Sequence, residues 1–247
     1  MRISSQVGEV MLQNLHHHSP FFLVILSVNF CLSCSLVGRK MQSRVANQNV
    51  AQNQTHANQE QEKSPRDAVR PKILSRQDWG AKEPVGKMQL NSPRHITVHH
   101  TASPQKESVT IEKKMRNLQI FSQSENRLDS GEVKPSWADV PYHYYIAFDG
   151  QIAEGRDVKY VGDTNTDYDP SGHILIVLEG NFETEQPSAR QTDSLVALAA
   201  WLSKKFDIST LEIKGHNDYA STACPGINLK NMLATIRQRI AELRGPD

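Results

Sequence analysis

The chain has 247 residues, which is enough for one large domain or two small ones. Its 28 basic and 27 acidic residues leave a formal net charge of +1, so the charge balance gives no reason to expect a nucleic-acid partner. Two of the three cysteines, Cys31 and Cys34, lie in one apolar N-terminal run, which disfavours a fold held together by disulfide bonds. Cys224 lies alone in the polar body of the chain, as either an inert buried thiol or a working thiolate.

Residues 1–34 are predicted to be an export segment. Within them, residues 20–34 (PFFLVILSVNFCLSC) contain an apolar run that is short for a membrane span and typical of a secretion signal. The small residue before Cys34 resembles a bacterial lipoprotein processing site, in which a lipid on Cys34 would anchor the chain to a membrane. We therefore expect a periplasmic or outer-membrane lipoprotein, with a simple cleaved signal (a secreted protein) or an uncleaved anchor as alternatives.

Residues 35–71 are predicted to form a disordered tether. The stretch 43–68 is rich in Gln, Asn and charged residues and has neither aromatic residues nor apolar periodicity. Such a segment cannot bury enough apolar surface to offset the entropy of ordering it. The folded domain is then predicted over residues 72–247, a length that is ample for one hydrophobic core.

Four segments of this domain have the composition of β-structure. Apolar, β-branched runs occur at 95–100 (HITVHH), 173–180 (HILIVLEG) and 211–215 (LEIKG). Residues 142–157 indicate two strands joined by a turn at Asp149–Gly150, which is typical of a hairpin. Because a hairpin is antiparallel, we expect a mixed sheet rather than a purely parallel one.

Three segments carry apolar residues at helical spacing, at 108–123, 190–206 and 228–243. Ser108 is the predicted N-cap of the first of these helices. Its predicted apolar stripe consists of Ile111, Met115, Leu118 and Phe121. Strands and helices alternate along the chain, so the predicted fold class is α/β, with one central mixed β-sheet flanked by helices in a single domain.

Histidine and cysteine residues occur where predicted strands end. His99 and His100 close the first strand, and strand alternation allows only one of them to enter a given pocket. His216 follows the last strand, and Cys224 precedes a Pro-Gly turn. Two histidines and one cysteine with an open fourth position are typical of catalytic zinc, although a histidine alone is more often a satisfied polar residue and a cysteine alone more often a core residue.

Four motifs in order carry a family resemblance: SRQDWGA, ITVHHTA, SWADVPYHYYIAFDGQIAEGRD and GHNDYASTACPG. They resemble the zinc-dependent N-acetylmuramoyl-L-alanine amidases, in the branch of the phage lysozyme-type amidases and the peptidoglycan recognition proteins. The resemblance implies that His99, His216 and Cys224 bind Zn²⁺, with His100 facing the other way. It also implies hydrolysis of the amide between N-acetylmuramic acid and L-alanine in peptidoglycan or muropeptides.

Further residues are candidates for catalysis or substrate binding. The resemblance places Tyr142 and Thr222 near the metal, where each would donate a hydrogen bond to the developing oxyanion. The residues themselves leave Tyr142 open as a core aromatic and Thr222 as a loop cap. Trp137 is expected either to stack on substrate or to anchor its own loop, and Arg156 either to meet a substrate carboxylate or to pair within the protein.

The chain departs from the family pattern at three places, one of them Leu175, where a small residue is usual inside the strand predicted over 173–180. A related branch of amidases uses a glutamate base at the position of Val177, so this base is absent, and Glu179 is not assigned its role. Asp157–Val158 replaces the residue pair that helps recognition proteins to read the third residue of the stem peptide, so peptide preference stays open.

Two other functions stay open from the sequence. One is a non-catalytic module that binds peptidoglycan, and the other is a zinc hydrolase acting on a soluble muropeptide or another amide. The presence of Cys224 favours the amidase, because loss of this ligand accompanies loss of activity in the resembling family. We expect the protein to act as a monomer.

Overall fold

The computed structural model describes residues 68–127, 131 and 133–245 of the chain. The predicted export segment, including Cys34, and residues 35–67 of the predicted tether lie outside these described residues. The part that is described belongs to one unit, and none of its helices has the length and apolar character needed to cross a membrane.

The described residues form eight strands: β1 (Ile73–Leu74), β2 (His95–His100), β3 (Asn126–Arg127), β4 (Val133–Lys134), β5 (Tyr144–Ile146), β6 (Ile152–Glu154), β7 (His173–Leu178) and β8 (Ile213–Gly215). Six of them form one sheet in the order β1-β6-β5-β7-β2-β8, and β3 pairs only with β4. Within the large sheet, β5 and β6 are antiparallel and all other neighbours are parallel. The predicted mixed sheet is confirmed.

The predicted strands differ from the observed ones only at their ends. β2 has the predicted bounds, and β5 and β6 pair on either side of the predicted turn at Asp149–Gly150. β7 ends two residues early, and Gly180 beyond it adopts a positive φ of 142°. β8 begins two residues late because Thr210–Glu212 forms a 3-10 turn.

Three α-helices flank the sheet: α1 (Ile111–Ser122), α2 (Ala189–Phe206) and α3 (Ile227–Arg244). The prediction that Ser108 caps α1 is wrong. Thr110 is the N-cap, and its side chain accepts a hydrogen bond from the backbone N–H of Lys113. Serine and threonine can both cap a helix, so either residue could accept a hydrogen bond from an N–H of the first turn. The helix begins at Ile111, and the cap is therefore Thr110, the residue directly before it.

The apolar stripe predicted for α1 is wrong at its C-terminal end. Ile111 and Met115 are buried, whereas Phe121 is 42% exposed. The polar residue Gln119 is buried instead, because its side-chain amide donates a 2.8 Å hydrogen bond to the carboxylate of Asp139. A satisfied hydrogen bond thus allows a polar group to occupy a core-facing position that hydrophobic periodicity assigns to apolar residues.

Buried residues pack on both faces of the sheet, and their positions show on which face His99 lies. One face meets α2 and α3 through residues that include Ile96, Val98, Ile174, Ile176 and Leu178. The opposite face packs Val177 against α1 and the fully buried Trp79. Because alternate residues of a strand face opposite sides, the Ile96 and Val98 positions turn His99 towards the face that carries α1.

A glycine allows the close approach of two segments near the predicted site. The backbone N–H of Gly155 donates to the carbonyl of His143 at 2.9 Å. A Cβ at this position would overlap the carbonyl oxygen of Tyr142. The segment that carries Tyr142 is therefore held at a distance that only glycine permits.

We predict that Gly155→Ala lowers the free energy of unfolding by about 1–3 kcal/mol, because the added methyl group forces two backbone segments apart. The matched control is Gly86→Ala, whose added Cβ would lie 3.7 Å from the Cβ of Ala138, an ordinary contact. This control is expected to be neutral or stabilising by about 0.4–1 kcal/mol. Urea unfolding followed by circular dichroism measures both, and equal stability of the two variants would contradict the prediction.

Candidate metal centre

His99 and His100 lie at the end of β2 and face opposite sides of the sheet. His99 is buried and lies beside Val177 of β7 in the parallel register. The Nδ1 atom of His100 instead accepts a hydrogen bond of 3.2 Å from the backbone N–H of Phe182, on the other face. His99 therefore enters the site, and His100 supports the fold.

His216 and Cys224 reach the same point from the chain that follows β8. Strand β8 lies next to β2, with Gly215 in register with Val98, so His216, the residue after Gly215, follows β8 at the level of His99 on the neighbouring strand. The intervening loop folds back on itself, because the N–H of Asn217 donates to the carbonyl of Cys224 at 2.9 Å. This bond closes the loop and brings the thiol beside the imidazole of His216.

The three side chains converge. Their potential ligand atoms all lie within 4.8 Å of one another. His99 Nδ1 is 3.6 Å from Cys224 Sγ, and the ring centroids of His99 and His216 are 4.4 Å apart. Nδ1 of His216 and Nε2 of His99 are buried without a hydrogen-bond partner in the protein, which is rare for polar atoms. A partnerless, buried Nδ1 on His216 fits the role of a metal ligand.

The protonation states of the free side chains are set mainly by burial. Burial lowers the pKa of His216 to about 4, and burial together with the charge of His216 lowers the pKa of His99 well below its usual value. Both imidazoles are therefore neutral at pH 7, the form that binds metals. Burial raises the pKa of the Cys224 thiol to about 12, against a hydrogen bond from the N–H of His100. A cation at this point would supply the charge that a thiolate needs.

Tyr142 lies against this cluster. Its ring centroid is 5.3 Å from that of His99. Burial, with the neighbouring Cys224 as the second cause, raises the pKa of the Tyr142 hydroxyl above its usual value, so the phenol keeps its proton and can donate it in a hydrogen bond.

Val177 lies within β7, and Glu179 follows the end of this strand. Val177 lies in the apolar cluster on the α1 face, beside His99. The carboxylate of Glu179 forms a 2.7 Å ion pair with Lys114 and accepts a 2.9 Å hydrogen bond from the N–H of Lys106. These contacts give Glu179 a structural role.

Thr222 lies in the loop that carries Cys224. Its hydroxyl oxygen accepts a 3.2 Å hydrogen bond from the backbone N–H of Cys224. This contact is the cap that the sequence leaves open as an alternative, and it leaves the hydroxyl proton available for a second bond.

Trp137 and Arg156 are both engaged within the protein. The Lys134 ammonium lies 4.4 Å from the centroid of the Trp137 ring and covers one face of it. Arg156 is buried, donates to three backbone carbonyls and forms an ion pair with Asp163. These contacts give Arg156 a structural role, and substrate contact by either residue stays a prediction.

Sequence reasoning missed three residues beside His216. Thr166 Oγ1 lies 2.8 Å from His216 Nε2. The ring of Tyr168 is 5.2 Å from that of His216 and stacks on Tyr219 at 5.7 Å. Thr166 and Tyr168 lie outside the helices and strands, and no spacing in the sequence connects them with His216, so no signal in a single sequence could have found them.

The match to a known family covers this whole site. The sequence matches the family described as N-acetylmuramoyl-L-alanine amidase (Amidase_2) over residues 89–227, which is more than half of the chain and includes His99, His216 and Cys224. The chain belongs to the N-acetylmuramoyl-L-alanine amidase family. The fold and family expected from the four sequence motifs are thereby confirmed.

The proteins that are similar to this chain include peptidoglycan recognition proteins and an endolysin amidase. Mouse peptidoglycan recognition protein 1 is 32% identical over 165 residues, which are 65% of this chain and 85% of the relative. The crystal structure of Drosophila peptidoglycan recognition protein SD is similar with a TM-score of 0.57 and 28% identity, over 67% of this chain and 94% of that one. The endolysin amidase LysCS from Clostridium intestinale has a TM-score of 0.52 and 28% identity, over 68% of this chain and 97% of that one.

Proposed function

We propose that the protein hydrolyses the amide bond between N-acetylmuramic acid and L-alanine in peptidoglycan or muropeptides, in a zinc-dependent reaction. The observation that carries this proposal is the convergence of His99, His216 and Cys224 on one point. Two neutral imidazoles and one thiol are a donor set that suits Zn²⁺, and three protein ligands leave a fourth position for substrate or water. The partnerless Nδ1 of His216 supports the fit.

Zinc bound at this site would act as a Lewis acid towards the amide carbonyl and activate water near neutral pH. The three ligands differ in what they contribute. His99 and His216 would bind as neutral donors without losing a proton, whereas Cys224 would have to lose its thiol proton on binding. One thiolate and two neutral imidazoles would leave bound Zn²⁺ with a net positive charge, which would strengthen its action as a Lewis acid on the amide carbonyl.

Tyr142 and Thr222 are the proposed donors to the oxyanion that forms at the substrate carbonyl. Tyr142 is held close to the ligand cluster by packing against His99. Because its pKa is raised, its hydroxyl donates a hydrogen bond rather than ionising. Preorganised donors of this kind stabilise the transition state more than the substrate. Thr222 would add a second donor from the loop that ends in Cys224.

The second candidate is a module that binds peptidoglycan without cutting it. The relatives named peptidoglycan recognition proteins favour this function. The complete His-His-Cys set favours the enzyme, because binding alone does not require three converging metal ligands.

The substrate suggests where the protein acts. Peptidoglycan lies outside the cytoplasmic membrane, so export by residues 1–34 and a tether over 35–71 would bring a domain at 72–247 to it. A lipid on Cys34 would hold the chain at a membrane, and we propose that it works there as a monomer in wall remodelling or recycling.

The proposed activity is tested with the full chain, intact peptidoglycan and purified muropeptides. We expect release of free stem peptide, detected by mass spectrometry, that stops on addition of a chelator and returns with Zn²⁺. The Cys224→Ala variant is expected to release no peptide. Binding to peptidoglycan without release of peptide by zinc-loaded protein would contradict the amidase and support the recognition module.

We predict that Tyr142→Phe lowers turnover by about 100- to 1,000-fold, the usual cost of removing one oxyanion donor. The zinc content should be unchanged, because the phenol is not a ligand. Tyr144→Phe is the matched control, because Tyr144 packs in the core on the other face of the sheet and should retain activity. Release of stem peptide at the wild-type rate by Tyr142→Phe would remove Tyr142 from the mechanism.

A further inference from the structure

The two nitrogen atoms of the His216 ring have different surroundings. Nδ1 is buried and has no hydrogen-bond partner within the protein. Nε2 lies 2.8 Å from the hydroxyl oxygen of Thr166. Because a neutral imidazole carries one proton, the bond at Nε2 decides whether Nδ1 holds a hydrogen or a lone pair.

Thr166 is itself held by a second threonine. Its hydroxyl lies 2.7 Å from Oγ1 of Thr164, and its backbone N–H donates to the same oxygen at 3.1 Å. The Thr166 hydroxyl can therefore donate its proton to Thr164 and accept a hydrogen bond from Nε2–H of His216. In the reverse arrangement, Nδ1 would carry a buried proton with no acceptor, which is costly.

We propose that Thr166, held by Thr164, is a positioning residue that fixes His216 as the Nε2–H tautomer and so presents Nδ1 as the ligand atom. The proposal rests on the zinc site of the proposed function and deepens it. Metal-binding histidines commonly donate their other ring N–H to a neighbouring acceptor, which orients the ring and raises the basicity of the ligand nitrogen. Thr166 would act in this way through His216 rather than as a ligand itself.

The segment that carries Thr166 is anchored on both sides. Asp163 before it is ion-paired with the buried guanidinium of Arg156. Tyr168 after it packs its ring 5.2 Å from that of His216 and 5.4 Å from that of His173. A segment without regular secondary structure can thus hold one hydroxyl in a fixed place, and Arg156 contributes to the site indirectly.

The test compares three variants of the full chain. Thr166→Val keeps the shape of the side chain and removes the hydroxyl, and Thr166→Ser keeps the hydroxyl. Thr192→Val is the matched control, because the Thr192 hydroxyl bonds only carbonyls at the start of α2. Zinc affinity is measured by competition with a chromophoric chelator. We expect Thr166→Val to bind zinc about 10- to 100-fold more weakly, with Thr166→Ser and Thr192→Val close to wild type.

A second readout does not depend on zinc. The ¹⁵N chemical shifts of the His216 ring in zinc-free protein, assigned by their loss in His216→Ala, should show the proton on Nε2 in wild type and in Thr166→Ser. In Thr166→Val this preference should be lost. If Thr166→Val does not fold, Thr164→Val replaces it and is expected to show the same changes to a smaller extent.

The possible failures are distinguishable. A wild-type chain that shows the Nε2–H tautomer but binds no zinc would contradict the proposed function and leave the role of Thr166 in fixing the tautomer standing. A wild-type chain that binds zinc but carries its proton on Nδ1 would overturn the Thr166 proposal alone. Zinc affinity in Thr166→Val equal to that of wild type would overturn it as well.

Discussion

Two imidazoles and a thiol are buried around one point, and the protonation state of the thiol determines whether the three groups can bind a metal ion. Burial is the main cause of the raised pKa of Cys224, about 12, and of the lowered pKa of His216, about 4, so the thiol is protonated and the imidazole is neutral at pH 7. In the described part of the chain, the N–H of His100 donates to Cys224 Sγ and Thr166 Oγ1 lies 2.8 Å from His216 Nε2, whereas Nε2 of His99 and Nδ1 of His216 have no hydrogen-bond partner. A divalent cation would satisfy all three groups at once, which is why a metal centre is the simplest account of the arrangement.

The fold delivers this cluster through strand adjacency. β2 and β8 are parallel neighbours in the sheet. Their C-terminal ends therefore lie side by side and bring His99 and His216 together without a long loop. Gly155 allows the segment of Tyr142 to approach, and the Arg156–Asp163 ion pair fixes the start of the segment that carries Thr166. His99 lies on a strand and His216 lies in the 3-10 turn that follows β8, whereas Cys224, Tyr142 and Thr166 lie on loops. Substitutions in these loops are therefore expected to change the site without unfolding the sheet.

Periodicity and turn chemistry predicted the central part of the fold, because β2, the hairpin and the stripes of α2 and α3 follow rules of local sequence. The N-cap of α1 could not be predicted, since Ser108 and Thr110 satisfy the same rule. Strand alternation predicted that His99 and His100 face opposite sides of the sheet, but it did not predict which of them faces the site. The resemblance to the family motifs supplied that assignment. Thr166 could not be predicted at all, because its contact with His216 joins residues 50 positions apart through a loop whose path depends on the tertiary fold.

The most direct test of the central claim is a calorimetric titration of the zinc-free full chain with Zn²⁺ at pH 6, in two buffers that differ in heat of ionisation. Neutral histidines and a protonated Cys224 predict one ion per chain and release of about one proton. Histidines with ordinary pKa values would add their own protons and bring the release to about 2.5. Binding of less than one ion per chain, or release of two or more protons, would contradict a site of two neutral imidazoles and one buried thiol.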